Sequence, residues 1–211
     1  MSWEQKINKS IKTLKNEPPK KIRIIGGNWR SRLLTVIDLP GLRPTTDRIR
    51  ETLFNWLGQD LTGLRCLDLF AGSGALGFEA ASRGAALVIL LEKDKKACAN
   101  LSANFVLLQS SPASGHVEIL QRDSLEFLKQ QADRSSNLIF IDPPFQDSSM
   151  LDRAVIEAGR VCDDSAGGGI YVEFPSSRQR EELEALLPEW HCGKYLEAGQ
   201  VKAGLFRGGK G

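Results

Sequence analysis

The sequence predicts an α/β protein with a doubly wound, mostly parallel sheet of seven strands, a Rossmann-like arrangement. Apolar runs of strand length alternate with segments of helical periodicity over residues 59–207. A glycine-rich turn follows the first of these runs, which is typical of doubly wound sheets. Continuous apolar strands joined by helices indicate a parallel sheet that is covered on both faces.

Two elements precede this alternation. A short hairpin is predicted over residues 22–25 and 33–37, on either side of a Gly-Gly turn. A helix is predicted from Asp47 to Leu57, because its apolar residues recur at helical spacing. We therefore expect three parts in the chain: a flexible basic arm (1–20), an extension made of the hairpin and the helix (21–58), and a domain that contains the sheet (59–207).

Five apolar runs are predicted to form the parallel strands. They are Cys66–Phe70, Leu87–Leu91, Val117–Leu120, Leu138–Ile141 and Ile170–Phe174. Helical spacing predicts helices near Asp94, near Asp123, over about 149–161 and over about 177–187. The tail is predicted to form an antiparallel pair over 194–196 and 199–206, and residues 109–115 are predicted to form a loop.

The composition excludes several classes of protein. With 41% hydrophobic residues among 211, the chain is neither disordered nor fibrous. No apolar run reaches about 18 residues and the N-terminus lacks the apolar core of a secretory signal, so we expect no membrane span and no secretion. The cysteines are widely separated and form no C-x-x-C pair, which favours reduced thiols in the cytoplasm over a zinc site or a disulfide framework. We expect no metal ion.

Basic residues are concentrated near the N-terminus. Residues 1–50 contain 12 of the 28 Lys and Arg but only 4 of the 26 Asp and Glu. The near-neutral total of +2 therefore combines a basic first quarter with an acidic remainder. Such asymmetry favours a polyanionic partner such as nucleic acid. The alternative is a solvated tail that keeps the protein in solution.

An acidic residue stands at each of four predicted strand ends. These residues are Asp68, Glu92, Asp123 and Asp142. Ligands of doubly wound sheets bind outside the carboxyl ends of the strands, so we expect a site at this edge. Asp123 also precedes a predicted helix and is suited to cap it, and the two roles are compatible.

A glycine-rich turn follows Asp68. Gly72, Gly74 and Gly77 have the spacing G-x-G-x-x-G, and Glu92 stands directly after the next predicted strand. An acid at that strand end can accept bonds from both hydroxyls of a ribose, so the pattern indicates an adenosine-containing ligand. A dinucleotide and S-adenosylmethionine both fit, but the Asp68 carboxylate would repel a pyrophosphate and attract an ammonium group. A tight turn without a ligand is the plain alternative.

The fourth apolar run is followed by Asp142-Pro143-Pro144-Phe145. The two prolines fix φ and lack N–H donors, and the residue before a proline is held extended. This rigid, acceptor-rich corner suits the planar amino group of a nucleobase. The Asp142 carboxylate and the Pro143 carbonyl would accept its two N–H bonds, and Phe145 would stack on the base. An ordinary proline turn is the alternative.

These residues resemble the class I S-adenosylmethionine-dependent methyltransferases, and the corner is similar to that of their amino-group branch. Residues 23–27, 42–57 and 68–74 resemble the RsmD family, whose R-P-T-x-D-R stretch is absent from generic methyltransferases. The resemblance covers roughly residues 21–207. It implies methyl transfer from S-adenosylmethionine to the N2 amine of a guanine in bacterial 16S ribosomal RNA. Two places depart from the family pattern, namely Phe174-Pro175 and a long loop around Pro112.

The resemblance implies roles for individual residues. The cofactor would be held by Asp68, Phe70, Gly72, Ser73, Gly74, Glu92, Lys93, Asp123, Ser124 and Thr45. The guanine would be held by Asp142, Pro143, Pro144 and Phe145. Phosphates of the RNA would be contacted by Arg23, Arg30, Arg32, Arg43 and Arg48. Such contacts do not read sequence, so specificity would come from the shape of the RNA or of an assembled small subunit.

Three other functions stay open at this point. An adenine-N6 DNA methyltransferase uses a similar corner, and a nicotinamide-dependent oxidoreductase uses the same glycine turn. An RNA-binding assembly factor could keep the fold without turnover. Asp68 and the proline corner argue against the oxidoreductase, and the intact corner argues against the assembly factor. We expect a monomer with no membrane partner.

Overall fold

The computed structural model of this protein describes residues 21–37, 47–111, 115–144 and 147–209. The predicted arm over residues 1–20 and the centre of the loop around Pro112 lie outside these ranges. The strands are β1 (Lys21–Arg23), β2 (Leu33–Thr35), β3 (Arg65–Asp68), β4 (Leu87–Leu91), β5 (His116–Leu120), β6 (Leu138–Ile141), β7 (Gly169–Pro175), β8 (Trp190–Ala198) and β9 (Val201–Gly208). The helices are α1 (Asp47–Trp56), α2 (Ala75–Ser82), α3 (Lys95–Leu108), α4 (Ser124–Leu128), α5 (Ser148–Val161) and α6 (Arg180–Leu186).

Seven strands form one sheet in the order β5-β4-β3-β6-β7-β9-β8. The first five strands in this order, β5, β4, β3, β6 and β7, pair in parallel. Strand β9 pairs antiparallel with both β7 and β8. This confirms the predicted fold class. The chain moves outward from β3 to β5 and then returns to place β6 on the other side of β3. The strand order therefore reverses between β3 and β6, and a crevice opens at that point in doubly wound sheets.

Most of the predicted helices and strands are observed within a few residues of the positions that the sequence patterns indicate. The predicted strand Cys66–Phe70 ends earlier, at Asp68, because the backbone turns there into the glycine loop. Helix α2 has no polar face, since all eight of its residues are buried, and helical periodicity therefore could not reveal it. Among the described helices, none is long and apolar enough to cross a lipid bilayer.

The hairpin of β1 and β2 packs on the same face of the sheet as α1, α2 and α3. Trp29, in the turn of the hairpin, is 1% exposed, and its ring lies 6.2 Å from that of Phe78 and 6.4 Å from that of Phe105. From α1, Phe54 lies 6.2 Å from the Phe140 ring on β6. The N-terminal extension therefore shares one hydrophobic core with this face.

A buried carboxylate fixes the hairpin to α2. Glu79 is fully buried, and its two oxygens accept bonds from the backbone N–H of Ile25 at 2.8 Å and of Gly26 at 2.7 Å. Arg83, the residue directly after α2, donates to the same carboxylate at 2.7 Å. The guanidinium of Arg50, also fully buried, reaches it from α1 at 3.5 Å. Three segments distant in sequence thus meet at one side chain.

Arg50 extends this network back to the hairpin. Its Nη2 donates to the Arg23 carbonyl at 2.9 Å and to Asp47 at 2.7 Å. Arg50 lies in the segment 42–57 that carried the family resemblance, and it faces inward. A buried charge without its partner is strongly destabilising, so the network depends on every member.

Replacing Glu79 with Ala should therefore destabilise the protein by about 3–5 kcal/mol, because Arg50 and Arg83 would remain buried without a counter-charge. Urea unfolding followed by circular dichroism measures the free energy of unfolding. The matched control is Glu126→Ala, whose exposed ion pair with Lys129 should cost below about 1 kcal/mol. Equal losses in the two variants would contradict the role given to Glu79.

Candidate functional site

The glycine loop that follows β3 can be built only with glycine at key positions. Gly72 has φ +52° and Gly74 has φ +85°, values that other residues rarely adopt. A Cβ atom on Gly74 would lie 2.3 Å from the Phe78 ring. The loop therefore needs glycine for its backbone and for the packing beneath it, and its N–H groups stay close to the sheet edge.

Asp68, the last residue of β3, is 2% exposed and lies under this loop. Its Oδ2 accepts a bond from the backbone N–H of Gly77 at 2.9 Å. Burial, assisted by the charges of Asp142 and Glu92, raises the pKa of Asp68 to about 7, although the bond from the Gly77 N–H acts to lower it. Asp142 and Glu92 therefore lie within electrostatic reach of Asp68, which brings three of the four predicted strand-end acids to one site.

Glu92, just after β4, is half-buried and is held by the backbone on both sides. One oxygen accepts the N–H of Gly72 at 3.0 Å and the other accepts the N–H of Asp94 at 2.8 Å. The first bond ties the end of β4 to the glycine loop. A carboxylate oxygen has two lone pairs, so each oxygen can still accept a bond from a ligand hydroxyl.

Asp123 caps α4, which confirms one of its two predicted roles. Its Oδ1 accepts the N–H of Leu125 at 3.0 Å and of Glu126 at 3.2 Å, while Oδ2 pairs with Lys93 Nζ at 3.0 Å. The bond from Lys93 and the cap hold the pKa of Asp123 below its ordinary value. Lys93 and Asp123 therefore meet across the ends of β4 and β5.

Three further residues predicted to hold a cofactor, Phe70, Ser73 and Ser124, lie near the same edge. Ser124 is buried, and its hydroxyl donates to the Leu69 carbonyl just after β3. Ser73 is 7% exposed, and its carbonyl accepts a bond from the Asn104 amide at 3.2 Å. Phe70 is half-buried and packs against the core on the opposite face. Thr45 lies outside the described residues.

The proline corner begins directly after β6. Asp142 is half-buried, Pro143 is buried and Pro144 is exposed. The charge of Asp142 acts on Asp68 and also contributes to a pKa of Tyr171 that lies well above its ordinary value. The Asp142 carboxylate is therefore close to the end of β3 on one side and to β7 on the other. Phe145 lies outside the described residues.

The arginines predicted to contact RNA are on the N-terminal extension. Arg23, Arg30 and Arg32 are exposed on the hairpin, and Arg48 is exposed in the first turn of α1. Arg43 lies outside the described residues. These guanidinium groups lie at the surface, whereas that of Arg50 is buried in the network around Glu79. The extension therefore contains both surface arginines and a structural one.

Two sets of buried polar side chains were not predicted, although each interrupts an apolar stretch of the sequence. Glu79 is the only charged residue in α2, a helix composed mostly of apolar residues, which is a signal for a buried partner. Tyr171 and Glu173 alternate with apolar residues on β7, and the Tyr171 hydroxyl donates to Glu173 Oε1 at 2.9 Å. Within the described ranges, no group of His, Cys, Asp and Glu side chains is arranged to hold a metal ion.

Comparisons with known proteins give consistent matches. The sequence model of a family described as conserved hypothetical protein 95 matches residues 22–206. Ribosomal RNA small subunit methyltransferase D of Escherichia coli (strain K12) is 40% identical over 190 residues, which cover 89% of this chain and 90% of that protein. The protein of the same name from Haemophilus influenzae is 48% identical over 126 residues, 59% of this chain and 64% of its own length.

Solved structures agree with these matches. The structure described as putative methyltransferase yhhF from Escherichia coli superposes with a TM-score of 0.75 at 36% identity, covering 90% of this chain and 98% of that one. Magnesium protoporphyrin IX methyltransferase from Synechocystis, solved with bound S-adenosylmethionine, superposes with a TM-score of 0.60 over 75% of this chain and 77% of its own. At 13% identity, the second likeness shows a shared fold alone.

The raised pKa of Asp68 leads to a pH-dependent prediction. The folded state holds the Asp68 proton more tightly than the unfolded state does, so this residue lowers stability as the pH rises to about 7 and has a constant effect above that. Asp68→Asn keeps an oxygen for the Gly77 N–H but cannot ionise. The variant should be more stable than the wild type at pH 8, by on the order of a few kcal/mol, and nearly equal to it at pH 4.

Urea unfolding of both proteins at the two pH values measures this difference. The control is Asp133→Asn, an exposed acid, whose effect should be small at both values. A stability difference between Asp68→Asn and wild type that does not change with pH would contradict the assignment.

Proposed function

Because the chain belongs to the conserved hypothetical protein 95 family, the family of ribosomal RNA small subunit methyltransferase D, we propose that it methylates RNA of the small ribosomal subunit with S-adenosylmethionine as methyl donor. The acceptor is the exocyclic N2 amine of a guanine. The E. coli relative supports this proposal over nearly its whole length, and the site supplies the chemistry.

The observation that carries the proposal is the position of Asp142 beside Asp68, where the strand order reverses. One carboxylate stands under the glycine loop, and the other stands at the rigid proline corner on the adjacent strand. An adenosine-containing donor held by the loop and a base held by the corner would therefore meet at this crevice. The same neighbourhood of two carboxylates gives a pyrophosphate no favourable place, so it supports the methyl donor over a dinucleotide.

The residues around the loop fit S-adenosylmethionine. The buried Asp68 carboxylate would bind the ammonium of its methionine part, and this cation would favour the ionised form of Asp68. Glu92 would accept bonds from the ribose hydroxyls with its remaining lone pairs. Asp123 has its Oδ2 oxygen engaged with Lys93, whose side chain is 76% exposed and can yield to an adenine amino group. Phe70, Ser73 and Ser124 would complete the walls.

When bound, S-adenosylmethionine supplies a methyl group on a sulfonium sulfur. The corner's part is to hold and orient the amine: Asp142 and the Pro143 carbonyl accept its two N–H bonds and direct the nitrogen lone pair at the methyl carbon. In the transfer, a nitrogen–carbon bond would form as the sulfur–carbon bond of the donor breaks, and the electron pair would stay on the sulfur. The amine becomes acidic only after it is alkylated, so Asp142 can take the surplus proton then, and most of the rate gain comes from positioning.

The exposed arginines of the extension would contact phosphates on either side of the target. Arg23, Arg30, Arg32 and Arg48 carry fixed charges on the hairpin and α1, close to the core that supports the site. The family resemblance assigns Arg43 to RNA phosphates and Thr45 to the cofactor as well. The target base must leave its stack, at a cost of a few kcal/mol, so an exposed loop or an assembled subunit is the favoured substrate. A ribosomal substrate implies a cytoplasmic protein.

The test uses small ribosomal subunits from cells that lack the gene for this protein. We expect the purified protein to transfer a labelled methyl group to these particles, and mass spectrometry of the nucleosides should find N2-methylguanosine at one nucleotide. Duplex DNA of mixed sequence is the parallel substrate. Label in N6-methyladenine of the DNA, with none in the particles, would overturn the proposal in favour of an adenine-N6 DNA methyltransferase.

Asp142→Ala should lower the rate of methyl transfer by about 100-fold or more, because the amine loses the acceptor that orients it. Binding of S-adenosylmethionine, measured by calorimetry, should change little. Asp142→Asn keeps one acceptor oxygen and should retain more activity than the Ala variant. Turnover of Asp142→Ala at the wild-type rate would remove the corner from the mechanism.

Glu92→Ala should weaken the binding of S-adenosylmethionine by about 10- to 100-fold, because the ribose loses its acceptors and the glycine loop loses its tie to β4. Calorimetry with the purified protein measures the affinity. Glu118→Ala, an exposed acid on β5, is the matched control and should bind normally. An unchanged affinity of Glu92→Ala would count against this placement of the ribose.

A further inference from the structure

Strand β7 places two polar side chains beside the proline corner. Phe140 and Ile141 on β6 pair in parallel with Tyr171 and Val172 on β7. The next residue is Asp142, directly after β6, and on β7 it is Glu173. The Phe140 and Tyr171 rings lie 6.3 Å apart, which shows that they project from the same face. Side chains alternate along a strand, so Glu173 shares that face with Tyr171 and stands beside Asp142.

The pair is deeply buried. Tyr171 is fully buried, Glu173 is 2% exposed, and the Tyr171 hydroxyl donates to Glu173 Oε1 at 2.9 Å. Burial and the charges of Glu173 and Asp142 hold the pKa of Tyr171 well above its ordinary value, so the phenol keeps its proton and remains a donor. The hydroxyl therefore fixes the Glu173 carboxylate in place.

Burying a carboxylate at this position is costly if its role is only to fill space. The other buried side chains of β7 between Ile170 and Phe174, apart from Tyr171 and Glu173, are apolar. Moving a carboxylate out of water costs several kcal/mol unless polar groups compensate, and the Tyr171 hydroxyl is one group that does so. Strand β7 therefore keeps a carboxylate at its end, next to the proposed position of the base.

Guanine and adenine differ in what they present beside the amino group. In guanine, the N2 amine is adjacent to N1–H, so two donor groups stand side by side. In adenine, the N6 amine is adjacent to the N1 lone pair. A second carboxylate beside Asp142 attracts the first arrangement and repels the second, and in a buried site this charge acts over several ångströms.

We propose that Glu173, held in place by Tyr171, is a specificity-determining residue that selects guanine over bases with a lone pair at N1. The selection rests on the proposed function, since it concerns the base whose amine Asp142 holds. Glu173 acts on the N1 position of that base, whereas Asp142 acts on the amine itself. The two carboxylates thus divide recognition and orientation between them.

The test replaces guanine with 2-aminopurine at the nucleotide that the nucleoside mapping identifies. 2-Aminopurine keeps the reactive N2 amine but has a lone pair at N1. Small subunits are reconstituted with ligated RNA that carries either base, and single-turnover methyl transfer is measured with saturating S-adenosylmethionine. The wild-type protein should transfer to guanine about 10- to 100-fold faster than to 2-aminopurine. For Glu173→Gln, whose amide can donate to the N1 lone pair, this ratio should fall to near one, with the KM for S-adenosylmethionine unchanged.

Two further variants make the outcome decisive. Tyr171→Phe removes only the hydroxyl that fixes Glu173 and should narrow the ratio in the same direction, and it carries the test if Glu173→Gln does not fold. Glu118→Gln, on the exposed edge of β5, should keep the wild-type ratio. An unchanged ratio in folded Glu173→Gln, or in Tyr171→Phe when the former is unfolded, overturns the proposal. Failure of the wild-type protein to methylate guanine particles overturns the proposed function, and the selection with it.

Discussion

The parallel pairing of β3 with β6 is the constraint on which the rest of the site depends. It is formed only because the chain returns from β5 across the sheet, and it sets the end of β3 beside the end of β6. Asp68 and Asp142 are far apart in the sequence, yet the charge of one acts on the other. Two carboxylates at neighbouring strand ends create a place that prefers cations and N–H donors. A sulfonium donor and a nucleobase amine are both of that kind.

The N-terminal extension is joined to this frame by polar groups as well as by apolar packing. Glu79 accepts the backbone of the hairpin turn and pairs with arginines on α1 and just after α2. Because α2 follows the glycine loop directly, the element that would contact RNA and the element that would hold the cofactor share one buried side chain. The extension is therefore part of the same folded unit as the sheet face that it covers.

Much of this arrangement could be predicted from the sequence, for physical reasons that differ from residue to residue. Strand-end acids such as Glu92 and Asp142 were found because apolar runs end abruptly and the edge rule for parallel sheets is general. The hairpin partners of Glu79 could not be found, because they belong to a distant segment of the chain and no local pattern connects them. Helix α2 lacks the polar stripe that reveals a helix. The position of Tyr171 and Glu173 beside Asp142 could not be found either, because it depends on the register of β6 with β7.

The close contact between the hairpin turn and α2 bears on how the protein would select an RNA by its shape. A Cβ atom on Gly27 would lie 1.8 Å from the Ser82 carbonyl at the end of α2, so the turn rests against the helix backbone with no room between them. The separation between the surface arginines and the proline corner is consequently fixed by the fold. With the arginines on phosphates, the protein would hold the RNA backbone at a fixed distance from the proline corner. It would therefore accept an RNA whose unstacked base lies at that distance from the contacted phosphates.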